Sequence, residues 1–312
     1  MELDFLAVGH IISETIKFPK YTIGPILGSP AAYSTLVASK LGARVAILTK
    51  IGMDFPKELL KPFYEMKIDI NGIKTEGPES TTNILTYDES GKKEFLYLKR
   101  APPILPNDIP KDYLRAKIAF ICPMDGEVPL EVIKIFREAG SLIAIDLDGY
   151  GGRGGKIGKY LTEKSIKNKK EALEELIKII RFSHIVKIGS EDSLHLFKAK
   201  RKKEEDILKS LINEGINIGI ITLGKKGCIV ATKEDTFKIP AIPANVIDTT
   251  GGGDAFIAGF LIEYLRTNDP FRSALFGSAT ASIVIESSGG AIPSRMPFRD
   301  NVYERILNFL KR

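Results

Sequence analysis

The stretch Asp248-Thr249-Thr250-Gly251-Gly252-Gly253-Asp254-Ala255-Phe256 runs without a break into Ile257-Ala258-Gly259-Phe260-Leu261-Ile262-Glu263-Tyr264-Leu265. It restricts the fold more than any other part of the chain. Phe256, Ile257, Phe260, Leu261, Tyr264 and Leu265 recur at helical spacing, so an amphipathic helix opens at the glycines and lays an apolar stripe on a core. Its first turn must then sit at an edge. Unpaired N–H groups and the helix dipole attract anions there, and glycines let a phosphate approach the backbone without meeting a Cβ atom. A carboxylate beside a bound phosphate is repelled unless it has its own task, and proton removal or metal binding would be such a task for Asp254. The plainer alternative is that Asp254 or Asp248 caps the helix and the glycines form an ordinary tight turn. The pattern alone leaves both open.

The whole nonapeptide resembles the D-T-T-G-A-G-D-[AS]-F signature of the PfkB, or ribokinase-like, family of carbohydrate and nucleoside kinases, with Gly252 where Ala is usual. The similarity extends over nearly the full length. It implies an α/β fold: a three-layer α/β/α sandwich with a mainly parallel central sheet and a small β-strand lid. The chain 1–312 would be a single kinase domain, with the lid built from segments at about 12–27 and 80–100.

Bulk properties agree with an enzyme of that kind. The 312 residues are 44% hydrophobic, ample for a buried core. No apolar run approaches bilayer length and Met1-Glu2-Leu3-Asp4 lacks the basic start of a secretory signal, so the cytoplasm is the expected location, with no membrane partner. Cys122 and Cys228 lie in apolar segments and read as small buried residues, while His10, His184 and His195 lack metal-ligand spacing. The +6 formal charge comes from scattered lysines, and the densest runs, Lys167 to Lys170 and Lys198 to Lys203, adjoin Glu-rich helices. That is a solvated face, and no nucleic-acid partner is expected.

Along the chain, Phe5-Leu6-Ala7-Val8-Gly9 reads as a buried first strand whose glycine end admits a ligand. By resemblance, Glu14 takes the place of an Asp that bonds substrate hydroxyls, Gly28 and Ser29 stand on a Gly-Gly pair, and Tyr33 stands on an Asn; these departures bear on the substrate. Ile51-Gly52-Met53-Asp54 is similar to the family's V-G-x-D step. Ser80 to Tyr87 and Phe95 to Lys99 flank the turn signal Asp88-Glu89-Ser90-Gly91-Lys92, so a lid hairpin is expected, with Thr81, Asn83, Lys99 and Arg100 toward the acceptor. The run from Lys99 through Pro110 and the aromatic Tyr33 bear a weaker similarity to the inositol-kinase branch. From Ile118 onward strands and helices alternate, which implies βαβ units and ligands at the carboxyl ends of parallel strands. Asp146-Leu147-Asp148 is similar to the family's D-x-N step, and Gly151 to Gly155 reads as a surface insertion.

The resemblance assigns nucleotide contacts to Lys187, Thr222, Gly224, Gly227, Thr250, Gly251, Gly253 and Ser278. Thr222 to Gly227 is similar to the T-x-G-x-x-G turn. Lys187 to Asp192 occupies the place of the N-x-x-E motif, so Asp192 or Glu191 would hold Mg²⁺ through water; the same acids read equally well as caps of a helix from Ser193 to Lys198. A monovalent cation such as K⁺ beside Asp248 is a further implication. The implied reaction is transfer of the γ-phosphoryl group of ATP to a hydroxyl of a small sugar or cyclitol, with Asp254 as general base and the Gly251, Gly252 and Gly253 amides as anion hole. A nucleoside acceptor is the alternative, and a homodimer paired through the lid is compatible with the strands. Two rivals come from other classes. A non-catalytic sensor would not need the base, and a dinucleotide-dependent oxidoreductase would need a glycine fingerprint that Gly9 to Glu14 lacks.

Overall fold

A computed structural model of the protein describes residues 2–89, 93–150, 169–197 and 203–311. Among these the strands are β1 (Phe5–Val8), β2 (Ile12–Lys17), β3 (Thr22–Gly28), β4 (Val45–Ile51), β5 (Asp69–Thr75), β6 (Thr82–Tyr87) and β7 (Lys93–Lys99). Then follow β8 (Ile118–Ile121), β9 (Leu142–Asp146), β10 (Ile185–Gly189), β11 (Ile218–Thr222), β12 (Cys228–Ala231) and β13 (Thr236–Ile239). The helices are α1 (Pro30–Lys40), α2 (Lys61–Glu65), α3 (Leu130–Glu138), α4 (Lys169–Arg181), α5 (Ser190–Leu196), α6 (Glu204–Asn213), α7 (Gly252–Thr267), α8 (Pro270–Val284) and α9 (Arg299–Leu310).

Nine strands form one sheet in the order β13-β12-β11-β10-β9-β8-β1-β4-β5. It is parallel from β5 to β11 and turns antiparallel only at β12 and β13. Parallel strands covered on both faces need apolar side chains at every position, and β1 obeys this. Phe5 and Ala7 enter one core with residues of α1, α7, α8 and α9; Leu6 and Val8 enter the other with residues of α3, α4 and α6. The result is the three-layer α/β/α sandwich expected from the sequence. Because β1 sits between β4 and β8, the order in which strands are added reverses there while all of them stay parallel, and the crevice at the carboxyl ends of β1 and β8 is where such sheets receive ligands.

A second sheet, in the order β3-β2-β6-β7, gathers the two segments expected to form the small sheet. β6 and β7 pair antiparallel as the hairpin signal implied, the tip at 90–92 lying outside the described residues. The Gly151 to Gly155 stretch and parts of both lysine runs also lie outside them. Cys122 and Cys228 are free and buried. Among the described residues no helix is long and apolar enough to cross a membrane.

Candidate active site

α7 begins where the glycines placed it. Its N-cap is Gly251, with φ 82° and no side-chain cap, so neither Asp248 nor Asp254 caps the helix. That excludes the plainer reading of both acids. Gly251 is obligatory twice over. Its φ lies in the left-handed region, and a Cβ there would overlap the Tyr33 ring. Asp254 falls in the first turn of α7 and is half-buried, while Gly253 is exposed. Asp248 is buried and its Oδ1 accepts from the Thr250 N–H at 2.9 Å, folding the approach to the glycines.

Under this loop lies Tyr33, 1% exposed, on the first turn of α1. Its hydroxyl accepts a hydrogen bond of 2.8 Å from Nη1 of Arg295. Burial raises the phenol pKa, Arg295 opposes, and the charges of Glu14, Asp248 and Asp254 add to the rise. Tyr33, expected at an acceptor contact, thus forms the floor of the glycine turn. Arg295 itself is 2% exposed and had no signal in the sequence reading.

Beside the loop, Lys187 on β10 is 3% exposed and its Nζ donates to Asp146 at 2.9 Å and to Asp148 at 2.6 Å. The same ammonium lies against Gly253, 3.5 Å from where a Cβ would stand. Burial opposes its charge, and Asp146, Asp148 and Asp254 outweigh burial, so the amine pKa is raised. Burial pushes the Asp146 carboxyl up, with Asp148 adding to the rise and Lys187 pulling back. Gly189 follows on the same strand: its N–H donates to Asp148 at 2.8 Å, and Asp148 and Asp192 carboxylate oxygens both approach its α-carbon side. α5 begins at Ser190, so Glu191 and Asp192 lie within its first turn; the cap reading, which started that helix at Ser193, is displaced. Farther along the edge, β11 ends at Thr222, a turn spans Gly224–Lys226, and Gly227 takes φ 91° with its carbonyl accepting from Leu223 N–H at 2.7 Å. Ser278 is buried in α8.

The small sheet supplies the other wall. Glu14 on β2 accepts from Asn83 Nδ2 at 3.0 Å, both are buried, and Gly28 leaves the space that the Glu14 side chain fills. Ser29 caps α1, its Oγ accepting from the Ala32 N–H at 3.1 Å. Arg100 Nε reaches Asp125 Oδ2 at 2.5 Å, linking the end of β7 to the loop after β8. Burial pushes the Asp125 carboxyl up to about 6 although Arg100 pulls it down. Next to this pair, His10 Nδ1 and Thr81 Oγ1 are 2.8 Å apart, and Glu127 accepts from the N–H groups of His10, Met124 and Asp125. Lys99, by contrast, turns to Asp54 at 3.0 Å. Tyr87 of β6 meets Thr250 hydroxyl to hydroxyl at 2.9 Å, so the small sheet touches the glycine loop directly. Asp125, Glu127 and Tyr87 escaped the sequence reading because each acts through a long-range partner.

The chain's likeness to known proteins agrees with this geometry. A profile of the pfkB family carbohydrate kinases matches residues 155–297. A cytidine kinase of Thermococcus kodakarensis is 30% identical over 293 residues, 92% of this chain and 98% of that protein. A probable chloroplastic fructokinase of Arabidopsis thaliana is 24% identical over 90% of this chain and 74% of that protein. Among solved structures, the nucleoside kinase of Methanocaldococcus jannaschii, an archaeal member of the ribokinase family, superposes with a TM-score of 0.73 at 23% identity, covering 98% of this chain and 99% of that one. A ribokinase-like protein of E. coli in complex with ATP and Mg²⁺ gives 0.79 at 17% identity, over 98% of this chain and 99% of its own. With a mainly parallel sheet, a small second sheet and Asp254 at the mouth of a glycine-capped helix, the chain belongs to the PfkB, or ribokinase-like, family and is a phosphotransferase that acts on a hydroxyl acceptor.

Proposed function

We propose that the chain is an ATP-dependent kinase that moves the γ-phosphoryl group to a hydroxyl of a nucleoside. The observation that carries the phosphotransfer part is Asp254, half-buried in the first turn of α7 next to a left-handed Gly251, with Lys187 alongside. The acceptor rests on the cytidine kinase relative at 30% identity. This reverses the order drawn from the sequence, where a sugar or cyclitol stood first. The buried Glu14–Asn83 pair suits adjacent hydroxyls, which the ribose of a nucleoside and a sugar or cyclitol both carry, so the sugar or cyclitol stays as the second reading.

In this mechanism Asp254 takes the proton from the attacking hydroxyl, and the amides of Gly251, Gly252 and Gly253 hold the charge that develops on the moving phosphoryl group. Lys187, kept protonated by its carboxylate neighbours, stands at the same helix mouth and adds positive charge toward the phosphates. Thr222, Gly224, Gly227, Thr250 and Ser278 line the path of the nucleotide. Mg²⁺, when bound, neutralises charge across the phosphates; Asp192 and Glu191, with Asp148 beside them, would hold it through water. Such a small carboxylate set suits an ion that keeps most of its own waters. Glu14, Asn83, Gly28, Ser29 and Arg100 bound the acceptor. The sheet β3-β2-β6-β7 acts as the lid of a single domain, excluding water from the transfer.

ADP release with cytidine, other nucleosides, sugars and myo-inositol as acceptors tests the reading. A nucleoside should give the highest kcat/KM. Asp254→Asn should bind ATP normally and turn over about 10²–10⁴ times more slowly. Wild-type turnover in that variant would remove Asp254 as the base.

A further inference from the structure

A buried arginine is costly unless its donors find acceptors, and the two Nη groups of Arg295 find three main-chain carbonyls and one hydroxyl, while its Nε has no hydrogen-bond partner among the described residues. Its Nη1 donates to the Gly290 carbonyl at 2.9 Å and to the Tyr33 hydroxyl at 2.8 Å. Its Nη2 donates to the carbonyls of Thr250 and Val284, each at 3.1 Å. The guanidinium carbon also stands 5.4 Å from the centre of the Tyr33 ring. One cation therefore gathers carbonyls from three segments: the glycine loop, the end of α8 and the Gly289-Gly290 turn.

These are the oxygens that a monovalent cation beside Asp248 would need. Thr250 is two residues from Asp248 and bonded to it, and the backbone N–H of Asp248 donates to Ile285, next to Val284. Asp248 Oδ2 and Arg295 Nε are the buried polar atoms left over at this junction, a carboxylate oxygen and a guanidinium N–H of opposite charge. An alkali ion placed among the same carbonyls would face a fixed positive charge already bonded to them. The site does not fit a free cation.

We propose that Arg295 is this chain's resident cation: it fills the carbonyl nest beside Asp248, is the positioning residue for Thr250 and Gly251, and makes turnover independent of K⁺. The inference rests on reading Gly251 to Gly253 as the anion hole. Arg295 acts on that hole from below, through the Thr250 carbonyl and through Tyr33, whose ring closes the space under Gly251. It touches no reacting atom. Its loss should therefore lower kcat and leave the KM for ATP nearly unchanged.

The test compares cations. Wild-type turnover in K⁺, Na⁺ and tetramethylammonium buffers should agree within about two-fold. Arg295→Ala should lose about 10²-fold in kcat, the scale of a small misplacement of catalytic groups, and guanidinium or K⁺ at millimolar concentration should restore part of it saturably. Activation of the wild type by K⁺ of about ten-fold or more overturns the proposal. So does an Arg295→Ala enzyme with wild-type kcat, or one that no cation restores. If that variant does not fold, the wild-type series decides alone: cation independence supports the proposal and K⁺ activation rejects it. Failure of the kinase reading is distinct, because it would appear as an active Asp254→Asn enzyme whatever the cation.

Discussion

The two walls of the proposed site are built on different principles. At the end proposed for the phosphates the frame is backbone, a left-handed glycine, a helix mouth and carbonyls gathered by Arg295, and it carries the side chains of Asp254 and Lys187. At the acceptor end it is side chain: Glu14 with Asn83, Arg100 with Asp125, His10 with Thr81, each pair joining segments far apart in sequence. The first end can vary little without breaking, since its geometry is set by φ angles and close approach. The second can exchange residues while the fold stays, and here acceptor choice would change.

Exchanging one acid at each end gives the largest contrast. Asp254→Asn should act on kcat alone, by about 10²–10⁴. Glu14→Gln keeps a side chain of the same size bonded to Asn83 and should act mainly on the acceptor KM, by about ten-fold, the worth of one charge-assisted hydrogen bond. Steady-state kinetics with both substrates varied separates the two. A Glu14→Gln enzyme that loses kcat with its acceptor KM unmoved would erase the distinction.

That contrast also explains what the sequence made legible. Runs such as Val45 to Ile51 announce central strands because parallel strands covered on both faces admit only apolar residues, and the nonapeptide announces the phosphate end because few sequences satisfy a left-handed cap over a packed ring. Arg295 gave no sign. It follows Pro293 and Ser294 in the tail, and only the fold brings it to Thr250; an arginine shortly after paired glycines is too common a pattern to mark a site. The family resemblance gives Tyr33 a position on α1 but not which side of the loop its ring takes. Asp125 and Glu127 lie in the loop after β8, where no periodicity guides the reading.

Lys187 sharpens the comparison from the stability side. Lys187→Ala leaves Asp146 buried with Asp148 and no counter-charge, so thermal and denaturant unfolding should register a loss on the order of 3–5 kcal/mol, the usual cost of breaking a buried ion pair. Arg100→Ala, whose partner Asp125 is nearer the surface, should cost about 1 kcal/mol or less and instead raise the acceptor KM a few-fold. Equal destabilisation by the two changes would mean that the acceptor wall is as much scaffold as the phosphate wall.

The smallest effect is one of pH. Asp125 has its pKa pushed up to about 6, first by burial and against the pull of Arg100, so the native state binds more protons at this site than the unfolded chain between about pH 4 and pH 6. Its contribution therefore favours folding below that window, and is lost as pH rises through 6. On activity the same proton acts through Arg100. Below pH 6 the neutral carboxyl no longer balances the guanidinium at the end of β7, and the acceptor KM should shift a few-fold with an inflection near that pH, while the KM for ATP, measured at the backbone-built end, stays level. Asp125→Asn should flatten the profile of the acceptor KM. An inflection that survives in that variant, or one that appears equally in the KM for ATP, would assign the titration to another group and remove the pH difference between the two walls.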